Sequence, residues 1–490
     1  MIPVLLKKQA YKLDKDAVES GHVSEDQLMD NAGFSLASHV LEKFKNPFNL
    51  KIGIIVGKGN NGVDGIIAHY YLSQWNCSSK LILIDKTIKK SLIFSKYIIS
   101  SDEIIIYNKN INFIEFDLVI DGILGIGNSR KINSEMSSIF NQINKSENII
   151  SIDLASGLMA NNGMKNDNAI NANQTHTMGY PKLGHFINDG LNCSGKIIVH
   201  HIGLPKIKKS KYSLIEDSDI KSLLKDVPLD LDKYSSGKLL VIGGSNKYIG
   251  AAELSSIAGY RTGAGYVKLV LPTEIQSLLD KKYPELIVEK YNPEKIERMI
   301  VWSDSIVFGP GLDIDFNQFK LLINLMKKYD KAIVFDASAF DFFDMGFSID
   351  DCPRKTIFTP HQKELKKLFY RSEFSFKNDI TLYLDGLIKS LNGRFCLIKG
   401  QPNYILDNEG KINLMNHGSS ILATAGTGDV LSGVIGSLIA QGYDLYSATV
   451  IGSWIHAEAG KIFVKKYGNK GLIASGLLDN IPSAFRIFLD

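Results

Sequence analysis

Cysteine is scarce and scattered in this chain. Its four cysteines, Cys77, Cys193, Cys352 and Cys396, stand far apart with no Cys-x-x-Cys pair among them. That argues against a disulfide framework and a zinc site, and makes free thiols in a reducing cytoplasm the expected state. Long apolar runs are missing too. No stretch reaches the roughly 18 residues a membrane helix needs, and the opening MIPVLLKKQAYKL is too short and too soon charged for a secretory leader. Charge of one sign is also lacking: the formal net charge is +4, from 56 Lys and Arg against 52 Asp and Glu, so neither nucleic acid nor a membrane surface is an expected partner. Low-complexity segments and short repeats are absent, which argues against disordered and solenoid classes.

What is present suffices for more than one core. The chain has 490 residues, 44% hydrophobic and 22% charged, an ordinary globular composition at a length that favours two or more domains. It is organised around residues 423–438, ATAGTGDVLSGVIGSL. Gly426 and Gly428 bracket Thr427, Asp429 follows at once, and Val430, Val434 and Leu438 continue at helical spacing. A glycine loop opening a helix leaves backbone N–H groups free and sets the positive end of the helix dipole behind them, a seat for phosphate. Asp429 has two readings: it caps the helix, or it takes a proton from a hydroxyl about to attack phosphorus.

In the first half, residues 25–41 have a helical pattern, with Asn31 and Gly33 either approaching a ligand or serving packing. A buried strand at 51–56, a glycine loop at 57–65 (GKGNNGVDG) and a helix opening at 66–72 make the phosphate-cradling βα arrangement, without the usual dinucleotide spacing. Asn60, Asn61 and Asp64 in that loop suggest polar contacts to a nucleotide and to a cation. Further parallel strands are expected at 80–84, at 117–120 ending in Asp121, and at 149–152 ending in Asp153. Carboxylates at strand carboxyl ends lie at the ligand crevice of open α/β sheets. With Asn61 and Ser156 they offer oxygens to a monovalent cation and acid/base groups; alternatively each caps the next helix. Residues 123–130 form a loop beside them. Lys182 meets a phosphate or is a solvated surface lysine. Residues 196–200 and 202–205 and the Lys-rich linker PKIKKSKY close this half.

The second half repeats the pattern. Apolar runs at 238–245, 261–270, 305–312, 332–335, 356–358 and 396–398 end in glycine or charged residues, among them Asp336, His361 and Lys399. Those residues should line one edge of a doubly wound sheet. His361 is a ligand contact or a structural histidine; Lys399 contacts phosphate or snorkels at the surface; His456 is read as structural.

These motifs together resemble the bifunctional NAD(P)H-hydrate repair enzymes, in which an epimerase domain precedes an ADP- or ATP-dependent dehydratase domain. GKGNNGVDG matches the family's GxGNNGGDG, VIDGILGIG its strand-end motif and SIDLASGL its Asp-x-Pro-Ser-Gly pattern. YIGAA, GPGL, TPHQKE, KG and GTGDVLSG then follow in family order. The resemblance implies an α/β protein with a Rossmann-like epimerase domain over 1–210 and a ribokinase-like, doubly wound dehydratase domain over 211–490. It implies that Asn61, Asp121 and Ser156 hold potassium. Asn60, Asn61, Gly62, Val63 and Asp64, the loop Gly125, Ile126, Gly127, Asn128, Ser129, Arg130 and Lys131, and Asp153 would bind the hydrate, with Asp121 or Asp153 as acid/base. In the dehydratase, Ala251, Gly311, His361 and Asp429 would face the hydrate, while Lys399, Gly400, Gln401, Pro402, Asn403 and Gly428 hold the adenine nucleotide with magnesium. Asp429 would accept the proton of the ring hydroxyl as it attacks the terminal phosphoryl group. The expected partners are small molecules only, the hydrates of NADH and NADPH and ADP or ATP, in a cytoplasmic homo-oligomer.

The chain departs from the pattern at Val63, where a positive φ would be costly, and at Ala155, Ser338 and Asn403. The rival reading is a ribokinase-like small-molecule kinase preceded by a non-catalytic Rossmann-like nucleotide-binding module.

Overall fold

The computed structural model describes all residues except 45, 91–95, 128–130, 227, 229, 231, 273–282, 370–375, 378, 487, 489 and 490. The chain divides into two compact units. One is Ile2–Tyr212 with Lys377–Asp379; the other is Met1 with Ser213–Phe376 and Ile380–Asp490. Short strands occupy Ile2–Val4 (β1) and Tyr212–Leu214 (β9).

In the first unit the strands β2 (Ile52–Val56), β3 (Ser79–Leu83), β4 (Ile104–Ile106), β5 (Leu118–Gly122), β6 (Ile149–Ile152), β7 (Gln174–Met178) and β8 (Lys196–His200) form one sheet. Its order is β4-β3-β2-β5-β6-β7-β8 and every pairing is parallel. The strands are continuous apolar runs because both faces are covered. Ile52, Ile54 and Val56 join the core on one face, and Ile55 the core on the other. The order reverses direction between β2 and β5, the switch point at which such sheets bind ligands. Helix Glu25–Lys43 packs on helix Asn60–Gln74 so closely that a Cβ at Gly33 would lie 2.5 Å from Ile67 Cγ2. Gly33 therefore serves packing, and Asn31 donates to the Ile202 carbonyl at 2.9 Å.

One expectation is corrected here. The glycine loop does not extend to residue 65: the helix begins at Asn60, with Gly59 as its N-cap, so Asn60–Asp64 form its first turn. Val63 is accordingly helical, and its β-branch meets no positive φ. Gly62 is the position that needs glycine, since a Cβ there would stand 2.0 Å from the Gly57 carbonyl oxygen. Gly62→Ala is expected to destabilise this unit by about 3 kcal/mol, the scale of over-packing against fixed backbone, measurable as a lowered urea midpoint.

The second unit carries β10 (Lys238–Ile242), β11 (Tyr266–Leu271), β12 (Ile287–Lys290), β13 (Ser305–Phe308), β14 (Ala332–Phe335), β15 (Thr356–Phe358), β16 (Phe395–Ile398), β17 (Asn403–Leu406) and β18 (Ile412–Met415). From β18 the order runs β18-β17-β16-β15-β14-β13-β10-β11-β12, antiparallel for the two pairings of β17 and parallel for the rest. The switch point lies between β10 and β13, where Gly244 N–H donates to the Pro310 carbonyl at 2.8 Å. Helix Thr427–Ala440, apolar nearly all round, is buried against the sheet and helix Ile249–Thr262. Among the described residues no helix is long and apolar enough to cross a membrane.

Candidate active sites

In the second unit the glycine stretch folds as an anion seat. Gly426 is the N-cap of helix Thr427–Ala440 in the left-handed region, φ 89°, where a side chain would also strike Leu254 and Ala474. Thr427 Oγ1 donates to the carbonyls of Leu422 and Thr424, each at 2.8 Å, and His456 Nε2 donates to the Thr427 carbonyl at 2.8 Å. Burial holds the His456 imidazole down at about 4, so it is a neutral donor that props the loop. Asp429 is the third helical residue, and no side chain caps this helix, so the capping reading of Asp429 is overturned. Its carboxylate has no hydrogen-bond partner among the described residues, and its backbone carbonyl accepts from Ser255 Oγ at 2.8 Å.

The charges around it come from two strand ends and one short helix. Asp336, after β14, is 1% exposed; it accepts from Lys399 Nζ at 2.7 Å and from Ser432 Oγ. Lys399, after β16, also lies 3.8 Å from Glu364. A Cβ on Gly428 would sit 3.3 Å from Lys399 Nζ, so the ammonium lies against the first turn of the phosphate-seating helix. Lys399 is thus no snorkelling surface lysine. Burial alone would push it down, but Asp336, Glu364 and Asp429 outweigh burial and hold it charged. Asp429 is pushed up to about 7, first by burial and then by Asp336, with Lys399 pulling the other way. Burial raises Glu364 too.

Gly311 and Ala251 meet at the switch point, where a Cβ on Gly311 would lie 3.2 Å from that of Ala251. His361 is exposed and acts as an N-cap: its Nδ1 accepts from Lys363 and Glu364 N–H, each at 3.1 Å, and Glu364 answers from the other end at 2.8 Å to His361 N–H. Its structural reading is therefore real, and its Nε2 lies 3.4 Å from Glu364 Oε1, so both ring nitrogens face the first turn of its own helix. In the loop after Lys399, Gly400 N–H donates to Asn403 Oδ1 at 3.0 Å, and Gln401 and Pro402 lie between them.

In the first unit a cavity of about 1240 Å³ opens beside the ends of β2, β5 and β6. Asn60, Asn61, Asp64, Gly125, Ile126, Gly127 and Asp153 line it. Gly62 and Val63 belong to the same helical turn, and Lys131 is not among the lining residues; Asn128, Ser129 and Arg130 fall outside the described residues. Neither Asp121 nor Asp153 caps a helix: the helix after Asp121, Ser134–Ile143, is capped by Asn133, and the helical turns after Asp153, Leu183–His185 and Gly190–Cys193, have Lys182 and Asp189 at their N-caps. Asp153 sits at φ 61° and is ion-paired with Lys182, which is 3% exposed. Lys182 is therefore not a solvated surface lysine, and its ammonium is committed to a carboxylate. Met178 N–H also donates to Asp153, at 3.1 Å.

Asp121 is fully buried. Its two oxygens accept from Ser156 Oγ at 2.6 Å, Ser151 Oγ at 2.8 Å, Ser156 N–H at 3.0 Å and Ile123 N–H at 3.2 Å. Burial raises it, against those hydrogen bonds. Asn61 Nδ2 donates to the Leu124 carbonyl at 3.0 Å, and Ser156 Oγ accepts from Leu124 N–H at 2.8 Å. Asn61, Asp121 and Ser156 thus meet around Leu124. Tyr11 and Asp14, on helix Lys7–Glu19, also face the cavity. Nothing local in KKQAYKLDKDAVE marks them, because the groups they face, Asp64, Asp153 and Lys182, lie far along the chain.

Known proteins resemble both halves of the chain. Residues 239–483 match the family model described as NAD(P)H-hydrate dehydratase, and residues 25–184 match that of the YjeF-related protein N-terminus. The chain is 32% identical to a bifunctional NAD(P)H-hydrate repair enzyme of Dictyoglomus turgidum over 93% of each chain. It is 29% identical to the Thermofilum pendens protein of that name, covering 97% of this chain and 94% of the relative. A ribokinase-like superfamily protein from Enterococcus faecalis superposes with a TM-score of 0.51 at 23% identity, over 58% of this chain and 99% of its own, which supports the fold of the second unit. The chain belongs to the family of bifunctional NAD(P)H-hydrate repair enzymes.

Proposed function

We propose that the second unit dehydrates the S hydrate of NADH or NADPH at the expense of ADP or ATP, with Asp429 as the base, and that the first unit interconverts the R and S hydrates. The observation that carries this reading is the unpartnered Asp429 carboxylate at a glycine-opened helix N-terminus. A ring hydroxyl leaves poorly, and its phosphate ester leaves well. Asp429 takes the hydroxyl proton as oxygen attacks the terminal phosphorus, and the N–H groups of Gly426 and Gly428 stabilise the charge that develops, the Thr427 N–H being held by the Thr424 carbonyl. Phosphate then departs with its bonding pair, the ring nitrogen supplies electrons, and loss of a proton from the neighbouring carbon restores the dihydronicotinamide.

Lys399 and the loop Gly400, Gln401, Pro402 and Asn403 would hold the nucleotide with Gly428, while Ala251, Gly311 and His361 face the hydrate. Magnesium would neutralise the nucleotide's phosphates, and the surrounding carboxylates are the hard oxygen donors that suit it. In the first unit Asn61, Asp121 and Ser156 present only oxygen ligands, with the Leu124 carbonyl beside them, which fits potassium; the ion would fix the loop after β5. Asp153 lines the cavity and Asp121 is not among its lining residues, so Asp153 is the better acid/base group. The hydrate would lie along Asn60–Asp64 and residues 125–131. A cytoplasmic homo-oligomer remains part of the proposal.

The test is the fate of phosphorus. With S hydrate, magnesium and ATP, phosphorus NMR is expected to show inorganic phosphate rising in step with reduced cofactor; a stable phosphorylated product would favour the kinase reading. The dehydratase kcat/KM is expected to rise with pH through an apparent value of about 7, because Asp429 must be ionised to act. Lys399→Met removes the cation that favours that ionised form, so its limb should shift to higher pH.

A further inference from the structure

The cavity of the first unit holds more carboxyls than cations can balance. Asp14, Asp64 and Asp153 line it, and among the described residues Lys182 is the ammonium ion-paired with one of them, while Lys15, also on the lining, is paired with Glu19 at 3.5 Å. Asp153 has that ammonium as its direct partner. Asp64 is 9% exposed and has no hydrogen-bond partner among the described residues, although it faces the same cavity. The other groups close by do not relieve it. His185 Nε2 donates to the Asp153 carbonyl at 2.9 Å, and burial holds that ring down at about 4, so it brings no charge at neutral pH. Tyr11 is raised by burial and by Asp153 and stays protonated. Lys58, on the cavity rim, is paired with Asp85 at 2.6 Å.

We propose, resting on the epimerase reading above, that Asp64 is the proton donor of the epimerisation and that Asp14 is a positioning residue that keeps the proton there. A buried carboxyl facing other carboxylates holds a proton at a pH where an ordinary one has lost it. Burial raises Asp64 well above its usual range, with Asp153 and Asp14 adding to it and Lys182 opposing. Burial raises Asp14 as well. The hydrate's hydroxyl is on a carbon bonded to the ring nitrogen. Asp64 gives its proton to that oxygen, the C–O bond breaks with its pair leaving as water, and the nitrogen lone pair closes onto the carbon. Water then adds to the opposite face and its proton passes to Asp153. Proton exchange through the water of the cavity returns Asp64 to its acid form, so no atom or electron is gained or lost. Two carboxyls with unlike environments thereby take the acid and base roles.

The experiment measures R-to-S interconversion of NADH hydrate against pH for the wild type, Asp64→Asn and Asp14→Asn, with infrared spectra of the same proteins. Asp64→Asn is expected to lose roughly a hundredfold or more in kcat, with KM changing less. Asp14→Asn is expected to move the alkaline limb of kcat/KM about one pH unit lower, since a negative neighbour is gone. The spectrum of wild type minus Asp64→Asn at pH 7 should contain a protonated carboxyl C=O band. Wild-type kcat in Asp64→Asn, an unmoved limb in Asp14→Asn, or a difference spectrum with carboxylate bands alone would overturn the inference while leaving the epimerase reading intact. A wild type that does not interconvert the hydrates would overturn both.

Discussion

Asp429→Asn is expected to lower dehydratase kcat roughly a thousandfold, the range seen when a positioned general base is removed. KM for the nucleotide should change little, because the N–H groups of the Gly426–Gly428 turn and the Lys399 ammonium remain. The substitution keeps the shape of the side chain and leaves no buried group unpaired, since the carboxylate has no hydrogen-bond partner to strand. Its loss of rate should therefore come without loss of stability. Steady-state kinetics at pH 8, where the wild-type group with a value of about 7 is mostly ionised, read the difference most cleanly. An Asp429→Asn enzyme at wild-type speed would remove Asp429 from the chemistry.

The second large effect is expected from Asp153→Asn. Interconversion of the hydrates should fall by about 100-fold or more, so a mixed substrate would be repaired only in its S share. Asparagine tolerates the left-handed backbone that Asp153 adopts at φ 61°. It nevertheless takes the charge partner from a lysine that is 3% exposed. Breaking a buried pair in this way costs about 3–5 kcal/mol, although Thr177 Oγ1 at 3.2 Å still accepts from Lys182 Nζ. A thermal melt beside the kinetics separates a chemical loss from an unfolded domain. The double substitution Asp153→Asn with Lys182→Met should regain stability without regaining epimerisation.

The sheet edges were legible in the sequence for a plain reason. Parallel strands buried on both faces read as apolar runs, and the residues that end them, Asp121, Asp153, Asp336 and Lys399, interrupt those runs visibly. The glycine stretch at 426–428 was legible because left-handed backbone and close approach admit little else. What local pattern could not show is partnership at a distance. Asp336 meets Lys399 across 63 residues and Ser432 across 96, and Asp14 meets the cavity from a helix whose own pattern is unremarkable. The helix start at Asn60 was hidden by weak helix formers, Asn-Asn-Gly-Val-Asp. Burial against the end of the sheet decides it there, overriding propensity. His361 shows the converse: TPHQKE carries both a capping box and a family motif, and the imidazole serves the first through Nδ1.

The most direct test gives the full chain a mixture of R and S NADH hydrate with magnesium and ADP or ATP, and follows reduced-cofactor absorbance to its end point. Recovery of the whole mixture, with one inorganic phosphate released per cofactor restored, is the expected result. A plateau at the S share would contradict epimerisation by the first unit, and no recovery at all would contradict the repair function itself.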